Sequence, residues 1–533
     1  MVFPGPSGRQ NKKFFRFPKT RWIFDVFLIV VLYDPHVRQI AAPGRRDLTR
    51  LLTAIKGGRN MNNTTMERKP VGFTKSVIVF VFVFVSILCG IKLLGTSAHI
   101  PLVLSAAVAT IIGVASGYSW KEIESGMSET IKASAPAVLI MLIIGMVIGT
   151  WMLGGVVPTM IYYGLTWLSP KIFLTASALL CTMVSLFTGS SWTTMGTVGV
   201  ALVGVGDGLG VPLGMTVGAI ISGAYFGDKM SPLSDTTNLA PAMAGTDIFS
   251  HIKHMMYTTT PSYIAALLLY TVLGFTVVGE SSTDMATVSL YMETLADSFN
   301  ISPVMLVPPL CVILMVIFKV PAIPGLIGVA ALGGIFALLF QGASLSAVLG
   351  AMYTGVSMDT GVEAINKLVN RGGLSSMLDT VALILIALAF AGIVERTGMV
   401  HSIVEKILSH AKSDKAMMTT AVFSTLFTNF ATGVQYVALV LPGRMFRQTF
   451  RDRNLHPKNL SRILEDVGTL CAPFCPWSTD GAFILGTLGC ATGAYAPFMF
   501  FAMLNPIMSL ICIWTGWSIE RIDDSQKELD IIP

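Results

Sequence analysis

An all-α polytopic membrane protein is the fold class this sequence predicts, and three observations carry it. The 533 residues are 53% hydrophobic and only 12% charged, whereas a soluble domain carries about 25% charged residues. Apolar runs recur along most of the chain, and several reach the roughly 20 residues that span a bilayer. Polar, helix-breaking blocks interrupt those runs in corresponding places of two halves. Together they predict about 11–13 membrane segments in two repeats, expected to be inverted, with broken or re-entrant helices.

The runs follow one another in order. The first six are Val77–Leu94, Ile100–Val114, Ala135–Met152, Ile172–Phe187, Val211–Tyr225 and Ile264–Val278. The next six are Val304–Phe318, Ile323–Phe340, Leu378–Val394, Met417–Phe427, Val434–Leu441 and Pro497–Trp514. Lys121–Lys132 and Asn366–Arg371 precede repeated crossings and read as interfacial amphipathic helices. The joint at Glu280–Pro303 holds Glu280, Asp284, Glu293 and Asp297 without Lys or Arg, so it reads as the outer face. The basic stretch Arg444–Arg462 and the loop around Lys253 read as cytoplasmic.

Three domain parts are expected: a basic tail over 1–70, a membrane domain over 71–517 and a C-terminal tail over 518–533. The tail is basic through Lys12, Lys13, Arg16, Lys19, Arg21, Arg45, Arg46 and Arg50. Its apolar stretch Phe24–Leu32 is too short to span, and no small-residue cleavage site follows it. Met61 follows Lys-Gly-Gly-Arg, whose codons would be purine-rich like a ribosome-binding site. Met61 is therefore expected to be the true start.

Within the membrane domain, repeat one is expected at about 96–280 and repeat two at about 320–516. Gly126-Met-Ser lines up with Gly373-Leu-Ser, at 373 − 126 = 247. Leu186-Phe-Thr188-Gly lines up with Leu426-Phe-Thr428-Asn, at 428 − 188 = 240. Pro232-Leu-Ser-Asp-Thr resembles Pro476-Trp-Ser-Thr-Asp, with Asp466 upstream roughly where Asp228 would fall. Corresponding polar breaks in two halves point to the site of a secondary transporter.

Gly227–Pro241 is the most telling block. It holds Asp228, Lys229, Ser234, Asp235, Thr236, Thr237 and Asn238 between apolar runs. A charge at membrane depth costs about 2.5–3.5 kcal/mol and marks a functional site by default. Na⁺ needs several oxygen ligands, and this block offers carboxylates, hydroxyls, an amide and the free carbonyls of a helix break at Pro232. Na⁺ is thus expected in the Asp228/Asp235 region. Ser190, Ser191 and Thr193, with Thr188, Thr194 and Thr197, form a second hydroxyl cluster. Thr428, Asn429, Ser478, Thr479 and Asp480, with Thr432, Gln435 and Asp466, answer it in the other half. Burial and a neighbouring carboxylate both favour the protonated carboxyl. Such a group trades its proton for a cation, which is enough for antiport. Lys229 is expected as a counter-charge, a proton carrier or a snorkelling interfacial lysine. Glu395, beside Arg396, is a candidate coupling group or half of a structural ion pair.

Other classes are set aside on chemistry. The seven cysteines read as packing residues, and Cys471 and Cys475 lack partners for a zinc site. No phosphate loop or His-Glu-x-x-His occurs, so neither ATP-driven pumping nor that metalloprotease chemistry is expected. A net charge of +6, gathered at membrane-side stretches, does not read as a nucleic-acid surface. Gly204-Val-Gly206-Asp207 matches the Gly-x-Gly-Asp of intramembrane aspartyl proteases, a distant alternative. The Tyr-Asp that this chemistry also needs occurs only at Tyr33-Asp34.

From about residue 71 to 517 the chain resembles the NhaC family of Na⁺/H⁺ antiporters. The resemblance is carried by Gly189-Ser-Ser-Trp-Thr-Thr-Met-Gly-Thr197 and by Gly223 through Pro241. Gly433-Val-Gln-Tyr-Val-Ala-Leu-Val-Leu-Pro-Gly-Arg-Met-Phe446 and Pro476-Trp-Ser-Thr-Asp-Gly-Ala482 carry it in the second half. It implies exchange of cytoplasmic Na⁺ for external H⁺ across the cytoplasmic membrane, with no cofactor. A homodimer with elevator-like motion is also implied. The family includes carriers that exchange malate and lactate with H⁺ and Na⁺, the alternative here, with Arg444 or Arg396 as a carboxylate ligand. Cys471 and Cys475 flanking Pro473 depart from the pattern of the first half.

Overall fold

The computed structural model describes residues 69–278, 285–318, 320–409 and 411–522. The basic tail before Lys69, Met61, Tyr33-Asp34 and the last residues from Asp523 onward lie outside the described residues. Every long element is a helix, as an apolar solvent that cannot hydrogen-bond the backbone requires.

The first half runs through α1 (Phe73–Leu88), α2 (His99–Ala115), α3 (Trp120–Leu153), α4 (Val156–Trp167) and α5 (Pro170–Thr188). It continues with α6 (Ser191–Thr194), α7 (Val200–Gly208), α8 (Leu213–Met230), α9 (Asp235–Ala244) and α10 (Ile248–Leu273). The joint contributes α11 (Met285–Ser298) and α12 (Val307–Ile317). The second half has α13 (Ala322–Phe340), α14 (Leu345–Thr354), α15 (Glu363–Val369), α16 (Leu378–Arg396), α17 (Met399–Leu408) and α18 (Asp414–Thr432). It closes with α19 (Gln435–Asp452), α20 (Pro457–Ile463), α21 (Thr479–Leu488), α22 (Thr492–Tyr495) and α23 (Phe500–Thr515).

Among the described residues, six helices are long and apolar enough to cross a membrane, or up to eight if each of two sharply bent pairs counts as one span. The other expected segments appear as short or broken helices, several around the polar blocks. The amphipathic stretch at Lys121–Lys132 is no separate element: it is the first part of α3, 34 residues long. Its start is fixed by a reciprocal cap, in which Ser119 N–H donates to Glu122 at 2.8 Å and Glu122 N–H to Ser119 Oγ. At about 1.5 Å per residue α3 exceeds a bilayer's roughly 30 Å apolar depth, so its charged start lies beyond the apolar depth.

Helix boundaries recur at one spacing. The N-caps Ser169 and Ser413, at 413 − 169 = 244, open α5 and α18. Gly189 and Gly433 close these helices in the left-handed region, at φ +61° and +67°. Each is followed by an extended residue, Ser190 or Val434, before the chain turns helical again. Ser234 and Ser478 cap α9 and α21, and Gly245 and Gly489 end them. At that spacing Gly189 falls with Gly433 and not with Asn429. Asp466 falls opposite Ser222 (466 − 244 = 222), not opposite Asp228. Similarity between apolar stretches slides easily by a helical turn, whereas caps do not.

α8 packs on its neighbours through small residues, as helices in lipid do. A Cβ at Gly223 would stand 2.0 Å from the Ala178 carbonyl of α5, and one at Gly214 would stand 2.2 Å from the Ala494 carbonyl. Gly223→Leu must push α8 off α5, a cost of about 3 kcal/mol. The expected result is a lower melting temperature in detergent and loss of transport. A melting temperature equal to wild type would show that α8 is not clamped there.

Candidate functional site

The last turn of α8 and a π-turn, Leu464–Thr469, at the end of α20 face each other. π-Turns often sit at functional sites because the widened turn redirects side chains. α8 ends at Ser231, before Pro232, which delivers Asp228 and Lys229. The π-turn delivers Glu465 and Asp466. Lys229 Nζ lies 2.5 Å from Asp466 Oδ1, with both side chains wholly buried. The same oxygen accepts from Thr258 Oγ1 at 3.0 Å and Asn505 Nδ2 at 2.8 Å. Arg462, also fully buried, places Nε 4.0 Å from Asp466 Oδ2. A buried carboxylate needs this kind of compensation.

Three other buried carboxylates have only neutral donors. Asp228 Oδ2 accepts from the Ser191 N–H at 3.0 Å. Thr237 Oγ1 donates to the backbone carbonyls of Asp228 and Lys229 at 3.3 and 3.0 Å, tying α9 to the end of α8. Glu465 Oε1 accepts from Thr236 at 3.0 Å and from Thr469 at 2.8 Å. Asp480 Oδ1 accepts from Tyr225 at 2.5 Å and Trp192 Nε1 at 3.1 Å, and its Oδ2 from Thr479 at 3.1 Å. Trp192 stacks on Phe483, with ring centroids 4.4 Å apart. Residues of the Gly227–Pro241 block thus meet residues of the 466–481 block at one centre. Among the described residues, that centre sets four carboxylates against two fixed cations, Lys229 and Arg462. Two monovalent cations would balance it.

A family model described as the Na⁺/H⁺ antiporter family matches residues 223–517, which include every one of these charges. The "Na(+)/H(+) antiporter NhaC" of Alkalihalophilus pseudofirmus is 37% identical, over 86% of this chain and 98% of its own. The chain belongs to the Na⁺/H⁺ antiporter family, of NhaC type. A relative of the same name in Bacillus subtilis is 38% identical, over 84% of this chain and 98% of its own. The "Malate-2H(+)/Na(+)-lactate antiporter" of Bacillus subtilis is 36% identical, over 83% and 94%.

In this antiporter-family chain the expected site residues divide. Asp228, Lys229, Ser191, Thr236, Thr237, Asp466, Thr479 and Asp480 come together. Ser190, Ser234 and Ser478 cap helices beside the centre, accepting from the N–H groups of Thr193, Thr237 and Gly481. Asp235 is exposed in the first turn of α9. The second carboxylate at the polar block is Glu465 instead. Asn238 is exposed and bonds back to the Pro232 and Ser234 carbonyls, at 2.9 and 2.7 Å, holding the turn. Thr428 donates to Ser424 within its own helix, and Asn429 donates to the Gly468 carbonyl at 2.7 Å, bracing the π-turn. Glu395 is half-buried at the C-terminal end of α16, beside Arg444 and Glu129. Lys229 does not snorkel: its side chain is wholly buried against Asp466. Arg396 and Arg444 are exposed. Asp207 accepts from Tyr291 at 2.9 Å, which makes the Gly-x-Gly-Asp stretch a tied-down helix end.

Glu465, Arg462, Thr258, Asn505, Tyr225 and Trp192 were not singled out by sequence reasoning. The signal available for Glu465 was its place beside Asp466, at the edge of an apolar run.

Proposed function

We propose that the chain exchanges Na⁺ for H⁺ across the cell membrane, with Asp228 as the cation ligand. The single observation behind this reading is the unbalanced buried charge. A site short of positive charge in a low-dielectric centre takes up either protons or Na⁺, and competition between them couples the two fluxes. Asp228 is 8% exposed, whereas Glu465 is 0%. Asp228 also lies beside the carbonyls and hydroxyls of the Ser231–Ser234 break, which can complete a cation's oxygen shell.

Sidedness supports an inverted pair of repeats. Pro212 and His456 are equivalent caps, since 456 − 212 = 244. Pro212 follows the turn tied to Tyr291 in the acidic joint, the outer face by its charge. His456 lies in the basic Arg444–Arg462 stretch, the inner face by its charge. Equivalent helices α8 and α20 then enter from opposite sides.

The test is the purified protein in liposomes with a pH-sensitive dye under an imposed ΔpH. Na⁺ alone is expected to dequench the dye. One competing proton lowers apparent Na⁺ affinity by about tenfold for each pH unit on the acidic side of the site. Dequenching should therefore need more Na⁺ as pH falls. A response that requires malate or lactate as well would replace this reading with organic-acid exchange. Against that, both buried cations at the centre already face Asp466, so neither is free to hold a carboxylate substrate.

A further inference from the structure

We infer that Glu465 is the proton-carrying carboxylate of the exchange, separate from the cation ligand Asp228. This rests on the Na⁺/H⁺ reading above. The three carboxylates without a cation partner differ in how their oxygens are satisfied. Asp480 has donors on both oxygens, from Trp192, Tyr225 and Thr479, so neither oxygen is left unsatisfied. Asp228 takes a backbone N–H and keeps some exposure, which suits an ion that arrives partly hydrated. Glu465 receives both of its hydroxyl donors on Oε1 alone. Its Oε2 is buried with no hydrogen-bond partner among the described residues.

A buried carboxylate oxygen without a donor is costly, and a proton removes that cost at once. A hydrated cation cannot reach a fully enclosed oxygen, but a proton can pass along hydroxyls. Such a string is present. Ser234 and Thr236 hydroxyls stand 3.1 Å apart, and Thr236 leads to Glu465. Ser234 also reaches toward Asp228. Lys229 and Asp228 both act electrostatically on Glu465, in opposite senses. When Na⁺ neutralises Asp228, the negative charge that opposes ionisation of Glu465 is cancelled, and the field of Lys229 then favours the carboxylate. The proton then leaves the Glu465 carboxyl by way of the Thr236 and Ser234 hydroxyls. When Na⁺ departs, a proton returns to the Glu465 carboxyl along the same hydroxyls. One Na⁺ and one H⁺ cross in opposite directions at this pair, and no other bond changes.

The experiment compares full-length wild type, Glu465→Gln and Glu465→Asp in liposomes, in two modes. One is ΔpH-driven uptake of radioactive Na⁺. The other is Na⁺/Na⁺ counterflow at fixed pH. Glu465→Gln, a permanently neutral side chain, is expected to lose ΔpH-driven uptake by about 100-fold. It is expected to keep counterflow, now with a flat pH profile. Glu465→Asp is expected to recover coupled uptake with a shifted pH profile. Coupled uptake with the wild-type pH profile in Glu465→Gln would overturn the assignment. So would equal loss of both modes in a monodisperse protein, since that marks a cation ligand or a structural group. If Glu465→Gln does not fold, an unshifted pH profile in Glu465→Asp overturns it. Failure of the parent reading is distinct: wild type itself would then show no Na⁺-induced dequenching.

Discussion

Liposomes carrying Asp228→Asn are expected to show no Na⁺-induced dequenching at Na⁺ concentrations that saturate wild type. A charge-assisted oxygen contact contributes up to about 3 kcal/mol, and its loss corresponds to roughly 100-fold in affinity. The amide still accepts the Ser191 N–H at its oxygen, so the protein should fold and insert normally. Asp235→Asn is the companion variant. Sequence alone predicts that it abolishes exchange too, but its side chain is exposed in the first turn of α9. It is now expected to retain exchange. The measurement is Na⁺ titration of dequenching for both variants, with size-exclusion profiles as the folding control. Wild-type titration in Asp228→Asn would remove Asp228 from the site.

Lys229→Met is expected to be the most destabilising single change at the centre. It leaves Asp466 fully buried, with only Arg462 at 4.0 Å and two neutral donors. Breaking a buried pair from one side costs about 3–5 kcal/mol, because the surviving charge is uncompensated. The double variant Lys229→Met with Asp466→Leu removes both charges and should regain most of that stability. It should not regain exchange, because Glu465 would lose the cation whose field acts on it. Thermal unfolding in detergent reports the first effect, and the liposome assay reports the second. A single variant as stable as wild type would mean that Asp466 is neutral, and that the pair is a plain hydrogen bond.

Much of this was legible before any fold was known. Asp228 stood out because two apolar runs enclose it, and a charge in that position has few bland explanations. Ser234 and Ser478 were legible as matching residues, although they act as caps beside the centre. Glu465 was hidden by its company. Lys458, Arg462, Glu465 and Asp466 lie within nine residues and read as part of a solvated basic loop. Only the fold shows that Lys229 and Asn505, from distant sequence, make that stretch buriable. Tyr225 and Trp192 were hidden for the opposite reason. Each sits in a run whose apolar or hydroxyl-rich character gives no hint that its polar tip meets Asp480. The spacings of 247 and 240 straddle the 244 at which the helix caps recur, since apolar similarity tolerates a slip that left-handed glycines at Gly189 and Gly433 do not.

The two missing positive charges at the centre have a further consequence, for leakage. A carrier that moves its site across the membrane must do so loaded or unloaded. Unloaded and deprotonated, this site carries an excess of two negative charges in a poorly solvating interior, and moving it is steeply uphill. Loaded with either kind of cargo, it is nearer to neutral and moves readily. In a carrier whose site moves as a unit, coupling without a fuel molecule needs no separate latch: the lipid itself refuses passage to the empty vehicle.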